Sequence, residues 1–199
     1  MGLDLSYDNG QTPIDEDEKE GLLIPTVTTR EELDEFEQLN IQKAMEYYLL
    51  RRKFKVDTIL TEKFIFDVHK RMLGDVWAWA GTIRKSNKNI GVDKFQIPPK
   101  LRQLIENCKY WVEHKTFSEK EIAIRFKHEL VAIHVFPNGN GRHSRLMGDI
   151  LMKQVFKEPI FSWGHKDLLH KNDVRDEYIK SLRKADNGDF EDLLKFSTQ

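Results

Sequence analysis

The stretch HVFPNGNGRHSR, residues 134–145, gathers residue types that can do chemistry on a phosphorylated substrate. Gly139, Asn140 and Gly141 place a loop poor in side chains at the start of a helix. Free backbone amides and the positive end of the helix dipole favour an anion there. Arg142 and Arg145 are spaced by three, so both guanidinium groups fall on one face of the first turns. Two planar cations suit a ligand with more than one phosphate. His134 closes the preceding helix and can face the same anion, a candidate general base for a hydroxyl nucleophile. A Gly-Asn-Gly alone more often makes a plain turn, and two arginines more often a solvated face. Their concurrence at one helix–loop–helix junction favours the phosphate reading.

Positioning these residues falls to helices. Thr12-Pro13 opens a short acidic helix that Gly21 stops. Thr29 and Glu32 form a capping box ahead of Leu33, Phe36, Asn40, Ala44 and Tyr48. A helix over about 57–73 carries Leu60, Phe64, Val68 and Met72 on one face and ends at Gly74. Pro99 starts the next, with Leu101, Leu104, Ile105, Cys108, Trp111 and Val112. Ser118 and Glu121 box another that must stop before Pro137. A further helix begins near Asn140, and two shorter ones run over roughly 173–185 and 189–196. The exception is 81–98, GTIRKSNKNIGVDKFQIP, which lacks a helical period and predicts a β-hairpin.

Among 199 residues, 32 Lys and Arg balance 33 Asp and Glu, a net charge of −1 with no global basic field. Direct nucleic-acid binding is therefore not expected. One cysteine, Cys108, excludes an internal disulfide framework. No apolar run reaches the roughly 20 residues that span a bilayer, so no membrane partner is expected. MGLDLSYDNG does not look like a signal peptide, which points to the cytoplasm. The first 28 residues read as a charged extension and 29–199 as the helical domain; a homo-oligomer is left open.

HVFPNGNGRHSR resembles the signature of Fic-domain proteins, His-x-Phe-x-acidic-Gly-Asn-Gly-Arg-x-x-Arg. Trp79-Ala80-Gly81 with Arg84 is similar to that family's entry into its flap, and Phe95-Gln96-Ile97-Pro98-Pro99 to the exit. Tyr178-x3-Leu182-x2-Ala185-Asp186-x-Gly188-Asp189 resembles its C-terminal helices. Size and the acidic N-terminus are similar to a subgroup called mobile mystery protein B. The resemblance implies an all-α Fic fold with a β-hairpin flap, and transfer of AMP from Mg-ATP to a protein hydroxyl. By position it implies His134 as base, Phe136 as core anchor, and Gly139, Asn140, Gly141 and Arg142 on the α- and β-phosphates. Arg145 would take the γ-phosphate. Ile90 and Val92 of the flap would clamp the side chain of the protein target.

Asn138 departs from that pattern, standing where the acidic Mg²⁺ ligand is usual; an amide oxygen is a weaker but usable ligand. The family's inhibitory motif, Ser/Thr-x3-Glu-Gly/Asn, has an imperfect match in Glu20-Gly21, which makes Glu20 a regulatory candidate against Arg145. Thr12-x3-Glu16 is a shifted alternative. Two rival functions remain: a Fic-like transferase of phosphate or another nucleotide, and a non-catalytic nucleotide-binding module. His69 and Cys108 read as core, Trp77, Trp79, Trp111 and Trp163 as core or interface anchors, and His128, His143, His165 and His170 as structural or surface residues. Arg51-Arg52-Lys53 reads as a solvated helix end.

Overall fold

The computed structural model describes residues 13–163 and 173–199, so the expectations for Thr12, His165 and His170 lie outside the described residues. The helices are α1 (Glu16–Lys19), α2 (Arg30–Met45), α3 (Val56–Ile59), α4 (Glu62–Leu73), α5 (Ile97–His114), α6 (Glu119–Ile133), α7 (Asn140–Ile150), α8 (Asp173–Ala185) and α9 (Glu191–Thr198). Single π-helical stretches, Glu46–Arg51 and Leu151–Phe156, prolong α2 and α7.

The Thr29–Glu32 capping box closes as its spacing implies, whereas at Ser118–Glu121 only the N-cap half forms, the Glu121 carboxylate turning to Arg125 at 2.7 Å. The Thr29 hydroxyl accepts from the Glu32 amide at 3.2 Å while the Glu32 carboxylate accepts from the Thr29 amide at 3.1 Å. Ser118 accepts from the Glu121 amide at 3.3 Å and starts α6. The helix expected over 57–73 is two helices. Leu60 leaves helical geometry with ψ 60, and the Thr61 hydroxyl accepts from the Phe64 amide at 3.2 Å to begin α4. The apolar face of α4 is buried as the spacing requires, with Phe64, Val68 and Met72 all in the core. α2 packs on α4, α5 on α6, and α6 on α7, so the glycine loop between α6 and α7 rests on the middle of the core. Ile14 and Val27 of the N-terminal arm join the same buried cluster.

Segment 81–98 is not the expected hairpin. Among the described residues it contains no strand, and it runs as an irregular loop into a 3₁₀ turn, Lys94–Gln96. Instead of a ladder, one buried guanidinium and a few side chains satisfy part of its polar backbone. Arg84 Nε donates to the His134 carbonyl at 2.6 Å, Nη1 to the Ser86 carbonyl at 2.7 Å, and Nη2 to the Val92 carbonyl. The Arg84 and Val92 amides donate to the Val135 and Ile133 carbonyls at 3.0 and 3.4 Å. The two arms of the flap are thus tied to the end of α6, and to each other by side chains: Arg84 reaches the Val92 carbonyl, Asn87 donates to the Asp93 carboxylate at 2.8 Å, and the Lys94 amide donates to the Asn87 side-chain oxygen at 2.8 Å. An isolated antiparallel bridge, Leu22 to Trp77, attaches the N-terminal arm nearby.

Candidate active site

Phe136 anchors the loop from below. Its ring is fully buried, stacks on His69 at 3.7 Å with 19° between planes, and meets Phe66 and His143 edge-on. His69 does more than fill the core. Its Nδ1 accepts from the Gly81 amide at 3.0 Å, which leaves the proton on Nε2 to donate to the Asn138 carbonyl at 3.0 Å. One imidazole therefore joins the root of the flap to the glycine loop, and burial holds its pKa well below the ordinary histidine range. Sequence reading missed this role because His69 sits at an apolar helix position, indistinguishable from filler.

Asn140 is turned inward. Its side-chain oxygen accepts from the Phe136 amide at 2.9 Å and its side-chain nitrogen donates to the Phe136 carbonyl at 2.8 Å. The side chain closes the loop on itself, so any phosphate contact from Asn140 comes from its backbone. Gly139 caps α7 with φ +76, and a Cβ there would stand 2.6 Å from Leu73 Cδ1. Both the positive φ and the contact exclude a side chain. The leading amides of α7 point away from the helix with no intrahelical acceptor, next to Arg142 and Arg145.

His134 ends α6 in left-handed backbone, φ 58, and is buried. Burial pushes its imidazole down to about 4, and the Arg84 guanidinium beside it acts in the same direction, so at neutral pH the ring is neutral. The flap lies directly on it: Gly91 has φ +100, and a Cβ there would stand 2.5 Å from the His134 Cβ. Of the two flap residues singled out, Ile90 is exposed, while Val92 is half-buried against the core.

Arg142 and Arg145 line a cavity of about 590 Å³ between α2 and α7, with Leu39, Met45 and Trp163 on its walls. Arg142 Nη1 forms an ion pair with the buried Glu37 carboxylate of α2, whose other oxygen accepts from Trp77 Nε1 at 2.6 Å. The carboxylate that meets a motif arginine is therefore Glu37, and the arginine it meets is Arg142. Glu20 lies exposed at the end of α1, and among the described residues no hydrogen bond or ion pair holds its carboxylate. Glu16 is also exposed and pairs with Lys19 at 2.7 Å. Among the described residues, the acidic side chains of this arm that reach across the fold are Asp15 and Glu18, both on Lys88 of the flap, at 2.7 and 2.6 Å. Glu37 could have been suspected from its α2 face, shared with the buried Leu33, Asn40 and Ala44.

Asn138 offers its side-chain oxygen to the Gly139 amide at 2.6 Å. Among the described residues no group of three His, Cys, Asp or Glu is gathered. A single amide oxygen fits magnesium that arrives coordinated by phosphates and water.

Comparison with known proteins places this arrangement. The Fic/DOC family model matches residues 59–152, which include the flap, the glycine loop and α7. Protein adenylyltransferase Fic of Aedes aegypti is 29% identical over 164 residues, covering 80% of this chain and 31% of that protein. The Drosophila melanogaster protein of the same name has the same identity and coverage. This chain thus spans about a third of the curated relatives it matches. Among solved structures, the N-terminal Fic domain of a Bartonella quintana protein with bound ADP superimposes with a TM-score of 0.67 at 14% identity, covering 87% of this chain and 86% of that one. Fic-1 of C. elegans gives 0.64 at 22% identity, covering 89% of this chain and 50% of that one. The glycine loop seated on Phe136, the flap over His134 and the helical frame beneath them thus lie within the stretch that the Fic/DOC family model matches, on a fold shared with solved Fic domains.

Proposed function

We propose that this chain is a protein adenylyltransferase, moving AMP from ATP to a Ser, Thr or Tyr hydroxyl of a protein target or of itself. The observation that carries the reading is a neutral His134 fixed under Gly91 beside the amide-lined loop that leads into Arg142 and Arg145. The names of the adenylyltransferase relatives support it. The target hydroxyl oxygen forms a bond to the α-phosphorus, the bond to the bridging oxygen of the β-phosphate breaks, and pyrophosphate leaves. His134 takes the hydroxyl proton. The loop amides and Arg142 stabilise charge on the phosphates, and Arg145 holds the γ-phosphate. Magnesium, held by Asn138 and by the phosphates, would neutralise charge on the triphosphate. The exposed Ile90 would contact the target side chain, with Val92 fixing the flap from inside.

Restraint of this site would come from Glu37. A buried carboxylate on a phosphate-binding arginine competes with phosphate for the same donor. The restraint would then act from α2, with Glu20 of the terminal arm as the alternative that the variants below distinguish. Incubating the chain and a lysate with ATP and Mg²⁺, then reading AMP adducts by mass spectrometry, tests the reading. His134→Ala should lower adduct formation by about 10²–10⁴-fold with ATP affinity nearly unchanged. Phosphate or another nucleotide on the target, in place of AMP, would overturn it.

A further inference from the structure

Behind Arg145, three helices bring together groups that the transfer reaction does not use directly. Tyr178 of α8 is buried, with its ring against Phe196 at 5.3 Å. The Lys127 ammonium of α6 lies 4.6 Å from the Tyr178 ring centre and 5.9 Å from that of Trp163. The Arg145 guanidinium carbon lies 5.7 Å from the same Tyr178 ring. On its far side, Arg145 Nη1 comes within 4.0 Å of where a Cβ on Gly141 would stand, so the guanidinium lies over the glycine loop.

Lys127 is fully buried, and among the described residues no carboxylate lies within ion-pair reach of it. A buried cation without a counter-charge is costly, and the faces of Tyr178 and Trp163 offer partial compensation. Asp149, one turn beyond Arg145, does not bind the guanidinium. Its carboxylate accepts from the Phe161 amide at 3.2 Å and from the Trp163 indole at 3.1 Å. Arg145 therefore has the Tyr178 side chain and a second cation behind it, with the Asp149 carboxylate held elsewhere.

We propose that Tyr178, with Lys127 behind it, is a positioning residue that presses Arg145 over the glycine loop toward the terminal phosphate of the nucleotide. The proposal rests on the reading above, in which Arg145 takes the γ-phosphate. Burial holds the Lys127 pKa below its ordinary value; in its ammonium form Lys127 repels Arg145 outward, and the ring limits how far the guanidinium can fall back. Burial would push the Tyr178 phenol up, but the Lys127 and Arg145 cations hold it below its ordinary value, in keeping with their closeness.

ATP and ADP differ by the phosphate that Arg145 would hold, so the ratio of their dissociation constants isolates the effect. It is measured by titration calorimetry on the full chain with Mg²⁺. Tyr178→Leu should weaken ATP by about three- to tenfold and leave ADP within about twofold. Tyr178→Phe, which keeps the ring, should restore the ratio. Lys127→Met, which keeps the stem and removes the charge, should weaken ATP in the same sense, and it decides the matter if Tyr178→Leu does not fold. Arg145→Ala sets the scale. If Arg145→Ala abolishes the preference for ATP while Tyr178→Leu and Lys127→Met leave it intact, the positioning role is overturned and the γ-phosphate reading stands. If Arg145→Ala leaves the preference unchanged, the γ-phosphate reading fails and takes the proposal with it.

Discussion

The His134 imidazole sits in left-handed backbone at the end of α6, and burial with Arg84 nearby holds it at about 4. An ordinary histidine near 6.5 would lose about tenfold in neutral form by pH 5.5, whereas His134 would lose almost none. The sign is that of a base: protonation removes it, so activity falls as pH drops through its pKa. Initial rates of transfer at subsaturating ATP should therefore stay flat from pH 8 to 5.5, with near-ultraviolet circular dichroism confirming that the fold persists. A tenfold fall centred near pH 6.5 would show that His134 is not the proton acceptor in this environment. The identities of His134, Arg142 and Arg145 are legible in sequence because they lie within twelve residues of one another. The inward turn of Asn140 is not, since a side-chain amide can serve a ligand or its own backbone with equal ease.

At the scale of elements, the N-caps of α2 and α6 and the apolar face of α4 follow from local spacing, while the break at Leu60 that lets Thr61 cap α4 does not. Nor does the flap. Its β-branched residues and turn signals suggest a hairpin, yet Arg84 supplies donors to the Ser86, Val92 and His134 carbonyls that a ladder would otherwise have to satisfy. A long-range guanidinium has no periodicity to read. Gly91 is the point where this element meets the site. Gly91→Ala adds a Cβ against His134 in a backbone region that costs an L-residue roughly 1–2 kcal/mol. The flap should lift, transfer to protein should drop at least about tenfold, and ATP affinity should change little. Hydrogen exchange at residues 84–92 should rise in parallel; unchanged exchange and unchanged transfer would separate the flap from the chemistry.

Across the whole molecule, α2 closes on α7 through Glu37 and Arg142, while the N-terminal arm closes on the flap through Asp15, Glu18 and Lys88. These are separate links, and they give separate expectations. Glu37→Gln keeps an acceptor for the Trp77 indole and removes the charge that occupies Arg142. Auto-modification should rise about tenfold or more, the order expected when a charge-assisted pair no longer competes with phosphate. Glu20→Gln should leave the rate unchanged. The reverse pattern would return the restraint to the terminal arm.

The sequence by itself determined the helical class, the N-caps of α2 and α6, the glycine loop with its two arginines, and the histidine beside it. Each of these depends on residues within one or two helical turns of one another. Only the tertiary structure decided which carboxylate meets Arg142, that Arg84 replaces a hairpin ladder, and that Lys127 and Tyr178 stand behind Arg145. Those partners are separated by up to about a hundred residues of chain. Their meeting depends on how the helices pack, and the side-chain types that take part — Glu, Arg, Lys, Tyr — read in sequence as ordinary surface or core until that packing buries them.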